Sequence, residues 1–318
     1  MAFLRRRFSR QELFLLQTLL IAACFFLPAT FPLLFFWLDL LLAGSVFILL
    51  QIAKEEEPGR ALGNGLLAAG LGVFLLGEPA VFVFSLTMLP LGWSLHRSAN
   101  TGLSPAAAGG VGLIILSLTW LVFWLMYGIV TKTNPYSSLQ VSLDNSLVQV
   151  GEAYRMGADL PLELVRDLKI MIAWMRRILP EVLPGLLAGC VLLIVWLNLV
   201  IGNGLLRRLW PDKAVWPEYR CWRLPEMLIW LLITATILAL LGSGCLAQIG
   251  YSLTVVVVLL YFFQGAAIFA HLLHRWHVSV FWRVVLYFFV AVQGYGMLLL
   301  TVTGVADTWA DFRRLNSL

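Results

Sequence analysis

The sequence predicts an all-α fold, a polytopic transmembrane helix bundle of about nine spans. Three observations carry that expectation. Of the 318 residues, 61% are hydrophobic and only 12% are charged, whereas a soluble chain is about half apolar and about a quarter charged. The mean hydropathy is +0.89. The remaining charges fall between long apolar runs rather than within them, as in a chain whose helices sit in lipid.

A helix needs about 20 largely apolar residues to cross a bilayer. Nine stretches approach that length: 12–29, 31–53, 61–77, 79–95, 105–131, 182–204, 224–243, 247–271 and 280–304. Pro28 and Pro32 separate the first two. The third and fourth are short and meet at Gly77-Glu78-Pro79, so seven spans plus a re-entrant hairpin is the alternative count. Between the fifth and sixth, Leu160, Leu164, Leu168, Met171, Met175 and Ile178 recur at helical spacing. Glu163, Arg166, Asp167, Lys169, Arg176 and Arg177 are interspersed among them. Asp159 and Pro161 supply a start and Pro180 a stop, and an earlier helix covers Ser137–Met156. These amphipathic helices are expected to lie on the membrane or cap the bundle. The chain then divides into an N-terminal bundle (1–131), interfacial helices (132–181) and a C-terminal bundle (182–318).

Orientation follows from the basic residues. Arg5, Arg6, Arg7 and Arg10 precede the first span, Lys54 and Arg60 follow the second, and His96 and Arg97 follow the fourth. Arg207, Arg208, Lys213, Arg220 and Arg223 lie between the sixth and seventh, and Arg275 and Arg283 flank the turn before the ninth. With nine spans all of these fall on one side, which puts the N-terminus in the cytoplasm, the C-terminus outside and the bundle in the cell (inner) membrane. The charge-balanced 132–181 segment falls on the outer face by that count. Arg5-Arg6-Arg7-Phe8 resembles a twin-arginine export signal, but no small-residue cleavage site follows, so a retained first span is expected.

The net charge of +5 reflects these membrane-flanking clusters, and no nucleic-acid-binding pattern accompanies it. Cys24, Cys190, Cys221 and Cys245 show no CxxC spacing, which argues against a disulfide framework or a thiolate zinc site. GxxxxGK[ST], HExxH and GxSxG are all missing. No cofactor and no catalytic residue is expected.

Charges inside a bilayer are costly, which makes them site candidates. Asp39 lies several residues inside the second span and needs a partner, a proton or a water-filled cavity. Glu78, beside Pro79, is placed to reach interfacial water. In the last two spans Gln264 and Gln293, with Tyr261, Tyr287 and Tyr295, either line a solute pocket or hydrogen-bond between helices. His271, His274 and His277 end the eighth span. His271 and His274 share a face suited to a metal, yet no acidic or cysteine cluster accompanies them, and interfacial histidines are the simpler reading.

The basic loop leads into Tyr219-Arg220-Cys221-Trp222-Arg223-Leu224-Pro225-Glu226-Met227-Leu228-Ile229-Trp230. Arg220, Trp222 and Arg223 suit an interfacial anchor or a docking surface, and Pro225 suits the first turn of the next helix. With the layout of early spans, amphipathic linker and late spans, this stretch resembles the YybS-like family of bacterial multi-pass membrane proteins, a domain of unknown function. That resemblance implies a compartment and an architecture, not a reaction. Ala61-xxx-Gly65-xxx-Ala69 is similar to the small-residue rows of substrate-binding subunits of energy-coupling-factor transporters, though it lies in the third span rather than the first. Like Ala106-xxx-Gly110 and Gly185-xxx-Gly189, it is expected to pack helices within the bundle.

The expected function is a non-catalytic small-solute binding or transport component in the lipid bilayer, working with other membrane subunits for energy. The alternative is a structural or assembly factor of the cell envelope. A membrane-embedded enzyme acting on lipids has the least support.

Overall fold

Apolar runs that enter lipid must become helices, because no water is there to satisfy their backbone polar groups. The computed structural model describes residues 10–30, 35–52, 58–76, 79–156, 162–310 and 312–313, and among these the chain is α-helical with no strand. The order is α1 (Arg10–Thr30), α2 (Phe35–Leu40), α3 (Leu42–Ile52), α4 (Pro58–Leu76), α5 (Pro79–Leu86), α6 (Leu89–Asn100), α7 (Pro105–Thr131) and α8 (Pro135–Met156). It continues with α9 (Leu162–Leu209), α10 (Leu228–Leu241), α11 (Cys245–Arg275), α12 (Val280–Val292) and α13 (Gly294–Ala310). The Arg5–Arg7 cluster, Pro32, Lys54, Glu78 and the Asp159–Pro161 helix start lie outside the described residues.

Three described helices are long and apolar enough to cross a membrane by themselves: α7, Val165–Leu209 of α9, and α11. α12 and α13 make a fourth if counted as one span, but they are bent by 98°. Thr18–Leu27, Leu42–Ile52, Leu62–Leu75 and Leu228–Leu241 are shorter apolar helices within four more of the expected spans. Lipid is the only solvent that suits α7. Just 6% of its apolar window is buried in the protein, and Ile114, Leu125, Ile129 and Val130 are exposed, a surface far too apolar for water.

Two expected spans prove to be interrupted. The second divides into α2 and α3 at Leu41, and the fourth into α5 and α6 at Thr87-Met88. Pro90 explains the latter: it has no N–H for the carbonyl four residues back, and its ring would clash there. A third expectation fails in the opposite sense. Pro180 does not stop a helix, because α9 runs through both Pro180 and Pro184 for 48 residues. At 1.5 Å per residue that is about 72 Å, over twice the hydrocarbon thickness. The stretch from Leu162 to Pro180 is therefore continuous with the following span rather than a helix separate from it.

The helices sort into two compact units, Met1–Trp120 with Val191–Pro225 and Phe262–Leu318, and Leu121–Cys190 with Glu226–Tyr261. In the first, α1 packs on α4 and α3 on α6. Gly65 makes the α1–α4 approach possible, since a Cβ there would lie 2.7 Å from Ile21 and 2.9 Å from the Thr18 carbonyl; Ala69, one turn on, is buried. This row packs helices within the bundle, as expected. The Ala106-xxx-Gly110 row does not, because Gly110 faces open space. The buried face of α7 is instead Ala108, Gly112 and Leu116, two residues out of phase. Phe25, Phe47, Leu50, Leu91, Leu95, Val195 and Leu199 fill the core, and Trp216 joins them by stacking on Phe47 at 5.5 Å.

In the second unit α8 and the front of α9 form an antiparallel hairpin, tied by the Arg176–Asp144 ion pair. The Arg176 guanidinium, hydrogen-bonded to the carboxylate, holds the Asp144 carboxyl below its ordinary range. Gly185 lets α9 reach the backbone of α11, where a Cβ would sit 2.9 Å from the Ser252 carbonyl oxygen. Gly250 does the same toward Leu238 and Ala239 of α10.

Candidate functional site

The two helix interruptions share the first unit, and Asp39 stands at one of them. When α2 ends at Leu40, backbone groups lose their intrahelical partners and must find others. Asn198 of α9, fully buried, supplies them. Its Nδ2 donates to the Leu40 carbonyl at 2.7 Å and to the Ile194 carbonyl at 2.8 Å, and its Oδ1 accepts the Gly44 N–H at 2.6 Å. At the other interruption the Thr87 hydroxyl donates to the Phe84 carbonyl at 2.6 Å and accepts the Trp120 indole N–H at 3.1 Å.

Asp39 is 3% exposed. Ser85, the penultimate residue of α5, lies beside its carboxyl. Neither Asp39 Oδ1 nor Ser85 Oγ makes a hydrogen bond of good geometry. Burying a carboxyl this way costs several kcal/mol unless a proton, a cation or a polar ligand joins it. Interrupted helices around such a group are the construction by which membrane transporters hold ions and solutes near the bilayer midplane.

Gln264 and Gln293 do not belong to this arrangement. Gln293 is exposed at the α12–α13 bend. Gln264 is buried in a second polar cluster, where its Nε2 donates to Asp307 Oδ2 at 3.1 Å and its Oε1 accepts the Leu224 N–H at 3.3 Å. Asp307 also accepts Arg313 Nη2 at 2.9 Å, with both side chains 1% exposed. Arg313 Nη1 then reaches the carbonyls of Arg220 at 3.1 Å and Trp222 at 2.7 Å.

That cluster accounts for the basic-loop motif. Arg220 pairs with Glu218, and Trp222 Nε1 donates to the Pro217 carbonyl at 2.9 Å. The Tyr219 ring meets Trp196 and Trp222 edge-on, and its hydroxyl donates to the Phe263 carbonyl. Burial pushes the Tyr219 phenol far above its usual value. Arg223 is half-buried and Pro225 exposed. Pro225 does not open the next helix, which begins at Leu228 after a turn at 226–227. The proline forces Leu224 into extended backbone, and Gln264 fixes it there. The motif is thus fastened to its own bundle through backbone groups.

His271 is half-buried and His274 exposed in the last turn of α11. Beyond it the chain turns, and His277 takes a φ of 51°. The described residues contain no group of three metal-ligand side chains around these histidines.

Sequence reasoning missed Ser85, Asn198, Asp307 and Arg313. Asn198 was visible, with Asn203, as an amide in an apolar span. Asp307 and Arg313 lie beyond the last expected span, where nothing in the periodicity marks them.

No curated protein and no solved structure matches the chain. A family match extends over residues 19–308, nearly the whole of the sequence. The chain therefore belongs to the family described as predicted membrane protein (DUF2232).

Proposed function

We propose that this protein is a non-catalytic small-solute binding or transport component of the cell membrane that works with partner subunits. The observation carrying this reading is the buried Asp39 carboxyl beside Ser85, one oxygen of which lacks a hydrogen-bond donor, with two interrupted helices in the same unit. A packed, purely structural bundle gains nothing from a buried carboxyl left short of donors. Partner subunits enter because the sequence has no nucleotide-hydrolysing motif of its own. A cysteine at position 39, in a background lacking the four native cysteines, is expected to react with a maleimide from one side of the membrane. A cysteine inert to both permeant and impermeant reagents would sink the idea.

A second reading, an assembly factor, draws on the α8–α9 hairpin. There Ile170, Met171 and Trp174 stay exposed among charged residues, which suits a protein partner. Purification in mild detergent separates the two readings, by a co-purifying energy-coupling subunit in one case and envelope-assembly proteins in the other.

The topology we propose keeps the N-terminus and the basic loop cytoplasmic. The bonds from Arg313 to Arg220 and Trp222 support a cytoplasmic position for residue 313 as well, against the outer C-terminus expected from nine spans. The 98° bend between α12 and α13 supports a re-entrant pair there. A phosphatase reporter fused after Leu318 is expected to be inactive and a cytoplasmic fluorescent reporter active; the reverse pattern would restore a full ninth span.

A further inference from the structure

The second unit holds a cleft of about 650 Å³ between α8, α9 and the α10–α11 turn, within the size range of small-ligand sites. Tyr136, Gln140, Trp174, Arg177, Glu181 and Tyr251 are among the side chains that line it. Their polar groups are not used on the protein: among the described residues none of the six side chains has a hydrogen-bond or ion-pair partner. The contrast with the neighbouring residue is informative. Arg176 is held by Asp144, while Arg177 turns into the cleft with no acid on it.

Arg177 and Glu181 are four residues apart on α9, so they share a face about one turn apart. Arginine preceding glutamate is the weaker order for a bridge along a helix, and here the two do not pair. A guanidinium is shaped to hold a carboxylate or phosphate through two N–H groups. Glu181 and the rings of Tyr136, Trp174 and Tyr251 line the same cleft, and a carboxylate attracts an ammonium by charge while an aromatic face attracts it by the ring quadrupole. Pro180 lies between Arg177 and Glu181 on the helix and leaves the Arg176 carbonyl without its usual donor, which adds an acceptor at that level.

We infer that this cleft binds a zwitterion, with its anionic group on Arg177 and its ammonium group between Glu181 and the rings of Trp174, Tyr136 and Tyr251. That chemistry is offered both by free solutes of the betaine or amino-acid type and by the headgroup of phosphatidylethanolamine. The inference does not rest on Asp39, so failure at either site leaves the other standing.

The test uses the full chain, delipidated in maltoside detergent and titrated with glycine betaine and phosphocholine while tryptophan fluorescence is read. Saturable binding is expected, about tenfold or more weaker in Arg177→Gln and in Glu181→Gln and largely retained in Arg177→Lys. Acetate and tetramethylammonium, each offering half of the ligand, are expected to bind about tenfold or more weaker than betaine. If the source is lipid, the soluble probes fail but native mass spectrometry of protein from mixed nanodiscs finds phosphatidylethanolamine retained over phosphatidylglycerol, and the same variants abolish that preference. The inference is overturned if neither soluble zwitterion binds and no such lipid preference exists, or if Arg177→Gln and Glu181→Gln behave like the parent.

Discussion

Asp307→Ala is expected to destabilise the protein by about 3–5 kcal/mol, because it leaves a buried guanidinium without its counter-ion. Arg313 is as buried as its partner, so water does not replace the carboxylate. The loss spreads further than one ion pair. Asp307 also accepts Gln264 Nε2 and, through Oδ1 at 3.0 Å, the Phe312 N–H. Through Arg313 the same carboxylate fixes the carbonyls of Arg220 and Trp222. Proteolysis of the 217–225 loop is therefore expected to accelerate along with the fall in thermal midpoint in detergent. Asp307→Asn should cost less than Asp307→Ala, since the amide oxygen still accepts. The double variant Asp307→Leu with Arg313→Met should recover most of the loss, as buried ion pairs replaced by apolar groups commonly do. An alanine variant as stable as the parent would show that the pair carries no stability. A double variant as damaged as the single one would show that the side chains act by packing rather than by charge.

The helical membrane architecture was legible because it rests on composition and run length, which every residue of a span reports. What the sequence concealed are places where one residue's meaning depends on a distant partner. Pro180 reads as a helix stop, yet the turns around it continue because α9 is packed along both sides of it. Pro90 reads as part of a span, yet it ends one helix and opens the next. The polar tips of the late spans looked alike in sequence. Gln264 is hydrogen-bonded to a buried charge, because Asp307 lies 43 residues later on another helix, and no periodicity joins the two. Pro225 looked like a helix opening because the rule for the first turn is local; the hydrogen bond from Leu224 to Gln264 is not. Asp39 was found for the opposite reason. A charge within an apolar run is conspicuous whatever surrounds it, although its neighbour Ser85 and the brace of Asn198 on the helix end were not.

Asp39→Asn is expected to raise stability and to remove function, a pairing that a structural residue does not show. The carboxyl is buried with one oxygen lacking a hydrogen-bond donor, so the folded state bears an uncompensated desolvation cost. Asparagine keeps the shape and removes the ionisable group, with an expected gain of about 1–3 kcal/mol. Natural proteins keep such destabilising groups where activity requires them, and here the requirement is a charge at the end of an interrupted helix. Asp39→Asn should therefore unfold at a higher temperature in detergent while failing in any assay of solute binding or flux by the intact membrane complex. Ser85→Ala, which removes the hydroxyl beside the carboxyl, should weaken function without the gain in stability, because it leaves the carboxyl with less polar company. If Asp39 instead serves as an acceptor that holds helices together, the order reverses: Asp39→Asn would retain function, and Asp39→Leu would lower the unfolding temperature. Measuring stability and function together on these variants decides between a site and a brace, since each alone is ambiguous.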